Sequence, residues 1–224
     1  MTTLFQSSKS RTKTSVMENE QESQAGEYKS EVAELKLLQL VLASSSPRRA
    51  RILQSVGWQF EAMPVDIDET PKPGEEAIAY VERLSREKAE ARSRLSPESV
   101  VLGADTTVVI DGAVLGKPRD EDEAREMLTR LSGRWHEVIT GLTLCRGGEN
   151  GTPLVAHEST RVLFATMSAD EIDWYVSTGE PMDKAGAYAI QGKAALFIEK
   201  IEGDYWNIVG LPMQLLFNMA RQFF

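Results

Sequence analysis

The stretch LVLASSSPRRARIL, residues 40–53, decides how the rest of the chain is read. The apolar run over residues 37–44 has the length and aliphatic content of a buried strand. Ser46 then supplies an N-cap hydroxyl, Pro47 the fixed φ of a first helical position, and Gly57 a residue able to end the helix in a left-handed turn. A strand that runs straight into a capped helix is the opening unit of an α/β domain, and the text after it continues in kind. A short strand is expected around residues 59–65, a long amphipathic helix over 75–95 and an apolar strand over 99–104. Residues 106–115 read as a hairpin turned by Asp111-Gly112, a pair suited to a type I′ turn. Asp120 caps a helix that runs to Leu131 and stops at Gly133. Two long strands, 135–146 and 153–165, flank the turn Gly147-Gly148-Glu149-Asn150-Gly151, and Ser168 with Glu171 spells a capping box for a helix ending at Gly179. Strands around 195–201 and 205–208 and a closing helix over 212–223 complete the pattern. No segment repeats another, and residues 37–224 contain no linker-like break.

The chain has 224 residues, 42% of them hydrophobic, with 25 Lys+Arg against 34 Asp+Glu for a net charge of −9. That is enough apolar chain to bury a sizeable core. The acidic balance argues against a duplex-DNA or anionic-membrane binder, because such binding needs a basic footprint that displaces counterions. Neither a nucleic-acid polymer nor a membrane is therefore expected as a partner, and any small anionic ligand must be held by a local basic cluster. One cysteine excludes an internal disulfide and a multi-thiolate zinc site, in keeping with a reducing, cytoplasmic setting. The apolar runs are a handful of residues long, too short to span a bilayer.

Residues 1–36 stand apart. Rich in Ser, Thr, Glu, Gln and Lys and without apolar periodicity, they are expected to form a disordered extension. Residues 1–16 are basic and hydroxyl-rich in the manner of a transit peptide but carry no amphipathic stripe, and a misassigned start before Met17 is an equally plain account. The extension holds five basic and six acidic residues, so the domain over 37–224 keeps a charge near −8.

Three places could carry chemistry. At Ser44-Ser45-Ser46-Pro47-Arg48-Arg49, free backbone N–H groups, hydroxyls and two guanidiniums gather where a helix begins, which suits a phosphate. The same text also describes a plain capped helix with two exposed arginines. In the long helix, the stripe Ala77, Val81, Leu84, Lys88, Ala91, Leu95 puts a lysine where the period calls for an apolar residue. Such a lysine either snorkels to water or meets an anion. Last come the carboxylates Asp66, Asp68, Glu69 and Asp105. Glu69 lies in a loop before Pro71, and Asp105 follows an apolar strand, at the tip where α/β sheets place ligands. Carboxylates near phosphates can hold a divalent cation or take a proton from water; taken alone, each reads first as a turn or cap residue. Lys117, in Gly116-Lys117-Pro118, could aim an amine at the same anion. The Walker loop, the dinucleotide fingerprint, the His-Glu-x-x-His helix and the Gly-x-Ser-x-Gly elbow are all missing. His136, His157 and Cys145 read as strand residues without a metal role, and Trp174, Tyr175, Tyr205 and Trp206 as core or rim aromatics.

Read as one series, the segments LASSSPRRARIL (42–53), DETP (68–71), RLSREKA (83–89), LGADTTVVIDGAVLGKP (102–118), LSG (131–133), HEVITG (136–141), Tyr175, EPMDKAGAYAIQG (180–192) and GDYWNIVGLP (203–212) resemble the Maf family of nucleoside triphosphate pyrophosphatases. The resemblance covers essentially all of 37–224. It implies an α/β fold, a two-lobed mixed central sheet flanked by helices with an active-site cleft, similar to the inosine triphosphate pyrophosphatases. It further implies cleavage of a nucleoside triphosphate to the monophosphate and diphosphate with Mg²⁺ or Mn²⁺. Carried over residue by residue, the phosphate-side cluster falls on Ser44, Arg49, Lys88 and Lys117, the acidic partner on Glu69, and the proton acceptor on Asp105, with Glu69 and Asp105 toward the metal. Members of the family are often dimeric, so a homodimer is an expectation of the resemblance.

The branch acting on dTTP and UTP carries Arg, Thr and Gln where this chain has Arg48, Thr106 and Gln191; the 7-methyl-GTP branch carries Trp, Gln and Glu. The chemistry agrees, because an amide at Gln191 can accept from a pyrimidine N3–H and donate to O4, whereas a carboxylate suits the donor edge of guanine. Substrates of the dTTP and UTP type, 5-substituted uridine triphosphates included, are therefore expected. Ala189 and Lys193-Ala194-Ala195 depart from the family, whose members tend to carry more glycine there. A Nudix hydrolase shares the reaction, but Arg86-Glu87-Lys88-Ala89-Glu90 lacks the second paired glutamate and following glycine of that motif. A regulator of cell division with incidental hydrolysis, as the family's older name of septum formation protein suggests, is the non-enzymatic alternative.

Overall fold

In the computed structural model, residues 39–148 and 152–223 are described, so the expected extension over 1–36 and the glycine-turn positions 149–151 lie outside the described residues. Leu40–Leu42 (β1) runs into the helix Pro47–Ser55 (α1), with Ser46 at the N-cap and Gly57 at φ +74° beyond its end. Phe60–Ala62 (β2) follows, then Ala77–Ser93 (α2), Val100–Ile110 (β3) and Ala113–Leu115 (β4). Asp111 and Gly112 between β3 and β4 both have positive φ, 54° and 73°, as a type I′ turn requires. Glu121–Leu131 (α3) is capped by Asp120, and Trp135–Arg146 (β5) and Leu154–Phe164 (β6) form the two long strands. Ala169–Ser177 (α4) carries the full Ser168/Glu171 capping box. Ile198–Glu202 (β7), the short helix Tyr205–Val209 (α5) and Met213–Ala220 (α6) close the chain. None of the helices is long and apolar enough to cross a membrane among the described residues.

The seven strands form one mixed sheet in the order β2-β1-β3-β5-β6-β7, with β4 also on β3. β1 pairs in parallel with β2 and β3, and every other pairing is antiparallel. One edge of β3 pairs with β5 from Val100 to Val109. Its other edge is shared: β1 takes Val100 to Leu102 and β4 takes Val108 to Ile110. Between them residues 103–107 face neither strand, an opening of about 17 Å at the usual rise per residue. Residues Gln39–Phe223 are one compact unit, so the expected two lobes are the parts of a single sheet on either side of this opening.

α2 lies on the face of β3 that carries Gly103 and Asp105. A Cβ on Gly103 would sit 2.0 Å from the Ser85 carbonyl oxygen, and one on Gly141, the register partner of Asp105, would sit 2.4 Å from that of Val81. The helix backbone thus rests on bare strand backbone, and Ser85 Oγ bonds Thr143 Oγ1 beside it at 2.9 Å. On the opposite face the main core gathers Val108, Val138, Val162 and Phe164 under Leu128, Leu131 and Tyr175 of α3 and α4.

Several expectations need correction. Ser46 holds the N-cap position of α1, but its hydroxyl makes no capping hydrogen bond there. Asp105 is not at a strand tip: β3 runs unbroken through it, because β5 continues to pair past the point where β1 stops. Residues 205–208 are helix, not strand; Asp204 accepts from the Trp206 N–H and Gly210 takes a left-handed φ of 110°, and these caps overrule the β-forming aromatics. The strand expected from 195 begins only at Ile198, after a 3₁₀ turn over Lys193–Phe197. The α2 stripe also drifts, since a seven-residue repeat turns about 20° per heptad on a straight helix. Ala89 and Ser93 take up the buried line, and Leu95 lies beyond the helix, 70% exposed.

Gly103→Ala is expected to force α2 off the sheet, lowering the urea midpoint by an amount equivalent to about 1–3 kcal/mol or more. In the core, His136 shares a 2.8 Å hydrogen bond with the Tyr188 hydroxyl, and burial pulls its pKa down to about 4 from 6.5. The folded state therefore favours the neutral ring. The contribution is full above pH 6.5 and is lost as pH falls from 6.5 toward 4, on the order of 3 kcal/mol in all. Chemical denaturation across that window should show His136→Phe with a shallower pH dependence than the wild type.

Candidate active site

A cleft of about 520 Å³ fills the opening on β3. Ser44 to Arg49 enter it from the start of α1, Tyr80 and Lys88 from α2, Glu69 from the loop before α2, and Asp105 to Val108 from β3. Lys117 reaches it from beyond β4, Asp183 to Lys184 and Tyr188 to Gln191 from the irregular segment after α4, and Ile208 to Gly210 from the C-terminal turn. Every residue singled out in the sequence as a site candidate lines this cleft, apart from Asp66 and Asp68. Asp68 is a turn residue whose Oδ1 accepts from the Thr70 N–H at 2.9 Å.

Lys88 is the centre of charge. Its Nζ donates to Asp105 Oδ1 at 2.7 Å and to Glu69 Oε1 at 2.6 Å, with the residue only 8% exposed. Of the two readings of this stripe position, a lysine that snorkels or one that meets an anion, the structure has the second, an ammonium held between two carboxylates. Its placement follows from the close seating of α2: the glycines bring the helix near enough to β3 for the lysine to meet Asp105. The Glu69 loop is tied to the same helix. Tyr80 Oη donates to the Glu69 carbonyl at 2.9 Å, and Arg83, clamped by Glu75 at 2.6 and 2.8 Å, donates to the Thr70 carbonyl at 3.2 Å. Burial pushes the Glu69 carboxyl upward, but the hydrogen bond and charge of Lys88, with the charges of Lys117 and Arg49, outweigh it and leave it below its ordinary range. Burial and the neighbouring Asp105 and Glu69 charges push the Tyr80 hydroxyl up to about 12, so it stays a donor.

Arg49 is buried and spends three of its five N–H donors on protein oxygens. Nε donates to the Gly210 carbonyl at 2.8 Å, Nη1 to Ser44 Oγ at 2.9 Å and Nη2 to Thr106 Oγ1 at 3.0 Å. The Thr140 hydroxyl donates to the Asn207 carbonyl at 3.1 Å, so in the 2.9 Å contact between the two threonines Thr106 must donate. Protons therefore point one way along Arg49, Thr106, Thr140 and Asn207, and toward the cleft Thr106 can offer only a lone pair. Burial lowers the Arg49 pKa, opposed by the Asp105 charge, from a height at which the guanidinium remains a cation.

Arg48 and Gln191 lie on the remaining wall. Arg48 Nη1 is 3.7 Å from Asp183 Oδ2, and the same carboxylate group is ion-paired with Lys184. Gln191 sits exposed in the turn before the 3₁₀ segment. Sequence reasoning missed Tyr80 and Lys184 as cleft residues. Neither breaks a periodic pattern, and the only available signal was that Lys184 falls inside the segment 180–192.

No three His, Cys, Asp or Glu side chains gather into a metal cage among the described residues. Glu69 and Asp105 nevertheless suit a hard divalent cation. Mg²⁺ characteristically takes one or two carboxylates and completes its shell with substrate phosphate and water, and Mn²⁺ favours the same oxygen donors. The residues present fit that pattern, in an arrangement where Lys88 already brings the two carboxylates to one point.

The sequence profile of Maf-like proteins matches residues 39–223. The dTTP/UTP pyrophosphatase of Symbiobacterium thermophilum is 55% identical over 185 residues, covering 83% of this chain and 94% of that protein. Those of Chromobacterium violaceum and Myxococcus xanthus are 50% and 52% identical, each covering 78% of this chain and 89% and 87% of theirs. Among solved structures, a HAM1 protein from Coxiella burnetii matches 83% of this chain and 99% of its own at a TM-score of 0.50 and 18% identity, a likeness of fold. A profile that spans the described domain from first strand to last helix, with relatives at about half identity over most of their length, makes this chain a member of the Maf-like protein family.

Proposed function

We propose that this protein hydrolyses nucleoside triphosphates, dTTP and UTP foremost, to the monophosphate and diphosphate, and so clears the nucleotide pool of the cytoplasm. The observation that carries the reading is the buried ammonium of Lys88 between the carboxylates of Glu69 and Asp105, inside a cleft that also holds Arg48, Arg49 and Lys117. In a domain of net negative charge, these cations form the local cluster that a triphosphate needs. The names of the relatives supply the reaction and the bases.

In this reading Lys88 and Lys117 neutralise the charge that builds on the phosphates, and the Ser44–Arg49 turn at the start of α1 receives phosphate oxygens on its N–H groups. Asp105, oriented by Lys88, takes a proton from the attacking water. The water oxygen bonds to the α-phosphorus as the bond from that phosphorus to the bridging oxygen breaks, and pyrophosphate leaves. Glu69, with Asp105, would hold a Mg²⁺ or Mn²⁺ ion, which supplies further charge neutralisation of the phosphate oxygens when bound. On the base side, Gln191 would accept from N3–H and donate to O4 of a pyrimidine, with Arg48 and Thr106 nearby.

Pyrophosphate release from a panel of nucleoside triphosphates with Mg²⁺ or Mn²⁺ tests the reading. The wild type should cleave dTTP and UTP best, and Asp105→Asn should lower turnover by about 10²–10⁴-fold. Release of pyrophosphate from none of them, or an Asn variant as fast as the wild type, would defeat it. Gln191→Glu should cut kcat/KM for dTTP and UTP well below its effect on purine triphosphates. Equal losses on all bases would remove Gln191 from base recognition.

A further inference from the structure

Behind the Gln191 turn, and outside the residues that line the cleft, lies a polar pair from α4 and the 3₁₀ turn after it, a buried phenol and a half-buried carboxylate. Tyr175, fully buried, donates from Oη to Glu180 Oε1 at 2.9 Å. The same hydroxyl oxygen accepts the Ala189 N–H at 3.3 Å. Glu180 Oε2 accepts the Lys193 N–H at 3.1 Å, and Oε1 accepts a longer one from Ala194 at 3.5 Å. Backbone on both sides of Gln191 is therefore pinned to one phenol–carboxylate unit. Gly192 lets the turn close over it: a Cβ there would lie 2.2–2.5 Å from the Glu180 carboxylate, although its φ of −122° is open to any residue. The glycine thus leaves room for the carboxylate to reach the turn, and backbone conformation does not require it.

We propose that Tyr175 and Glu180 are positioning residues that set base selectivity by fixing the turn that presents Gln191. The proposal rests on the reading of Gln191 as the base-contacting residue. An amide discriminates among bases only if its oxygen and nitrogen are held at defined places, and a turn free to shift by an ångström presents both groups to every base. No hydrogen bond of the pair reaches Lys88, Glu69 or Asp105, whose partners come from α2, β3 and the loop before α2. Selectivity and chemistry are therefore held by separate supports, and the first can be damaged without the second. Lys193 contributes its backbone N–H here, so the departure from glycine at 193–195 leaves the anchor intact.

The test compares wild type, Glu180→Ala, Glu180→Gln and Gly192→Ala in two measurements: kcat/KM for UTP, dTTP, CTP and GTP, and hydrogen exchange at the Lys193 and Ala194 amides. Glu180→Ala should lower the preference for UTP over GTP by about tenfold or more, through KM, while GTP turnover stays within about twofold and both amides lose protection. Glu180→Gln keeps one acceptor oxygen and should fall between wild type and Ala. Gly192→Ala places a methyl group where the Glu180 carboxylate sits, so it should push that carboxylate off the Lys193 and Ala194 amides and reproduce the loss of preference. A uniform fall on all four triphosphates, or an unchanged preference in Glu180→Ala, overturns the proposal. A wild type that shows no preference among the bases instead overturns the function reading and takes this proposal with it. A wild type that discriminates beside a variant that discriminates equally overturns the proposal alone.

Discussion

The structure depends on how closely a helix can approach a sheet. α2 rests on β3 and β5 through Gly103 and Gly141, where any side chain would collide with the helix backbone at Ser85 and Val81. That approach sets where Lys88 arrives, and Lys88 gathers Asp105 from the strand and Glu69 from the loop. An ammonium this buried is tolerable because two carboxylates meet it; remove either glycine and the cation, its partners and the loop they hold lose their common reference. The same helix carries Tyr80 and Arg83, which secure that loop by its carbonyls. A single element thus places the lysine directly and both acids indirectly.

β3 works on both of its faces. Asp105 looks toward α2, while its neighbour Thr106 joins the directed chain from Arg49 to the Asn207 carbonyl. Asn207 in turn donates to the Val138 carbonyl and to Thr160, so the C-terminal turn is fastened to β5 and β6. Arg49 reads as a ligand for phosphate in sequence, and in the fold it is also the bolt that joins the start of α1 to Gly210. Conversion to lysine would keep the charge and lose the fork that reaches three acceptors at once.

Much of this was legible locally. The caps at Asp120 and Ser168, the Asp111-Gly112 turn and Pro47 at the first position of α1 are short-range codes, and the structure follows them. Lys88 was legible as a breach of periodicity because burial on a helix face has a fixed repeat. Other features depend on contacts far apart in sequence. Whether β3 ends at Asp105 or continues is decided by β5, some 35 residues away in the register between Asp105 and Gly141. The Tyr205–Val209 helix hides behind aromatic and β-branched residues that favour strands, and only Asp204 and Gly210 at its ends betray it. The Glu180 carboxylate opens the segment 180–192, but nothing in that text tells that it meets the backbone amides of 193 and 194 and not water.

The opening on the edge of β3 has a consequence for solubility. A strand edge without a partner is ordinarily a template on which another chain can add a strand. Here the bare length is only residues 103–107, closed at one end by β1 and at the other by β4. A foreign strand cannot lie along it without colliding with one of the two, whereas a compact ligand enters from the side. By letting two short strands share one edge, the fold brings Asp105 to Val108 to the wall of a cleft that a small molecule can enter, while leaving no unpaired run long enough for another polypeptide.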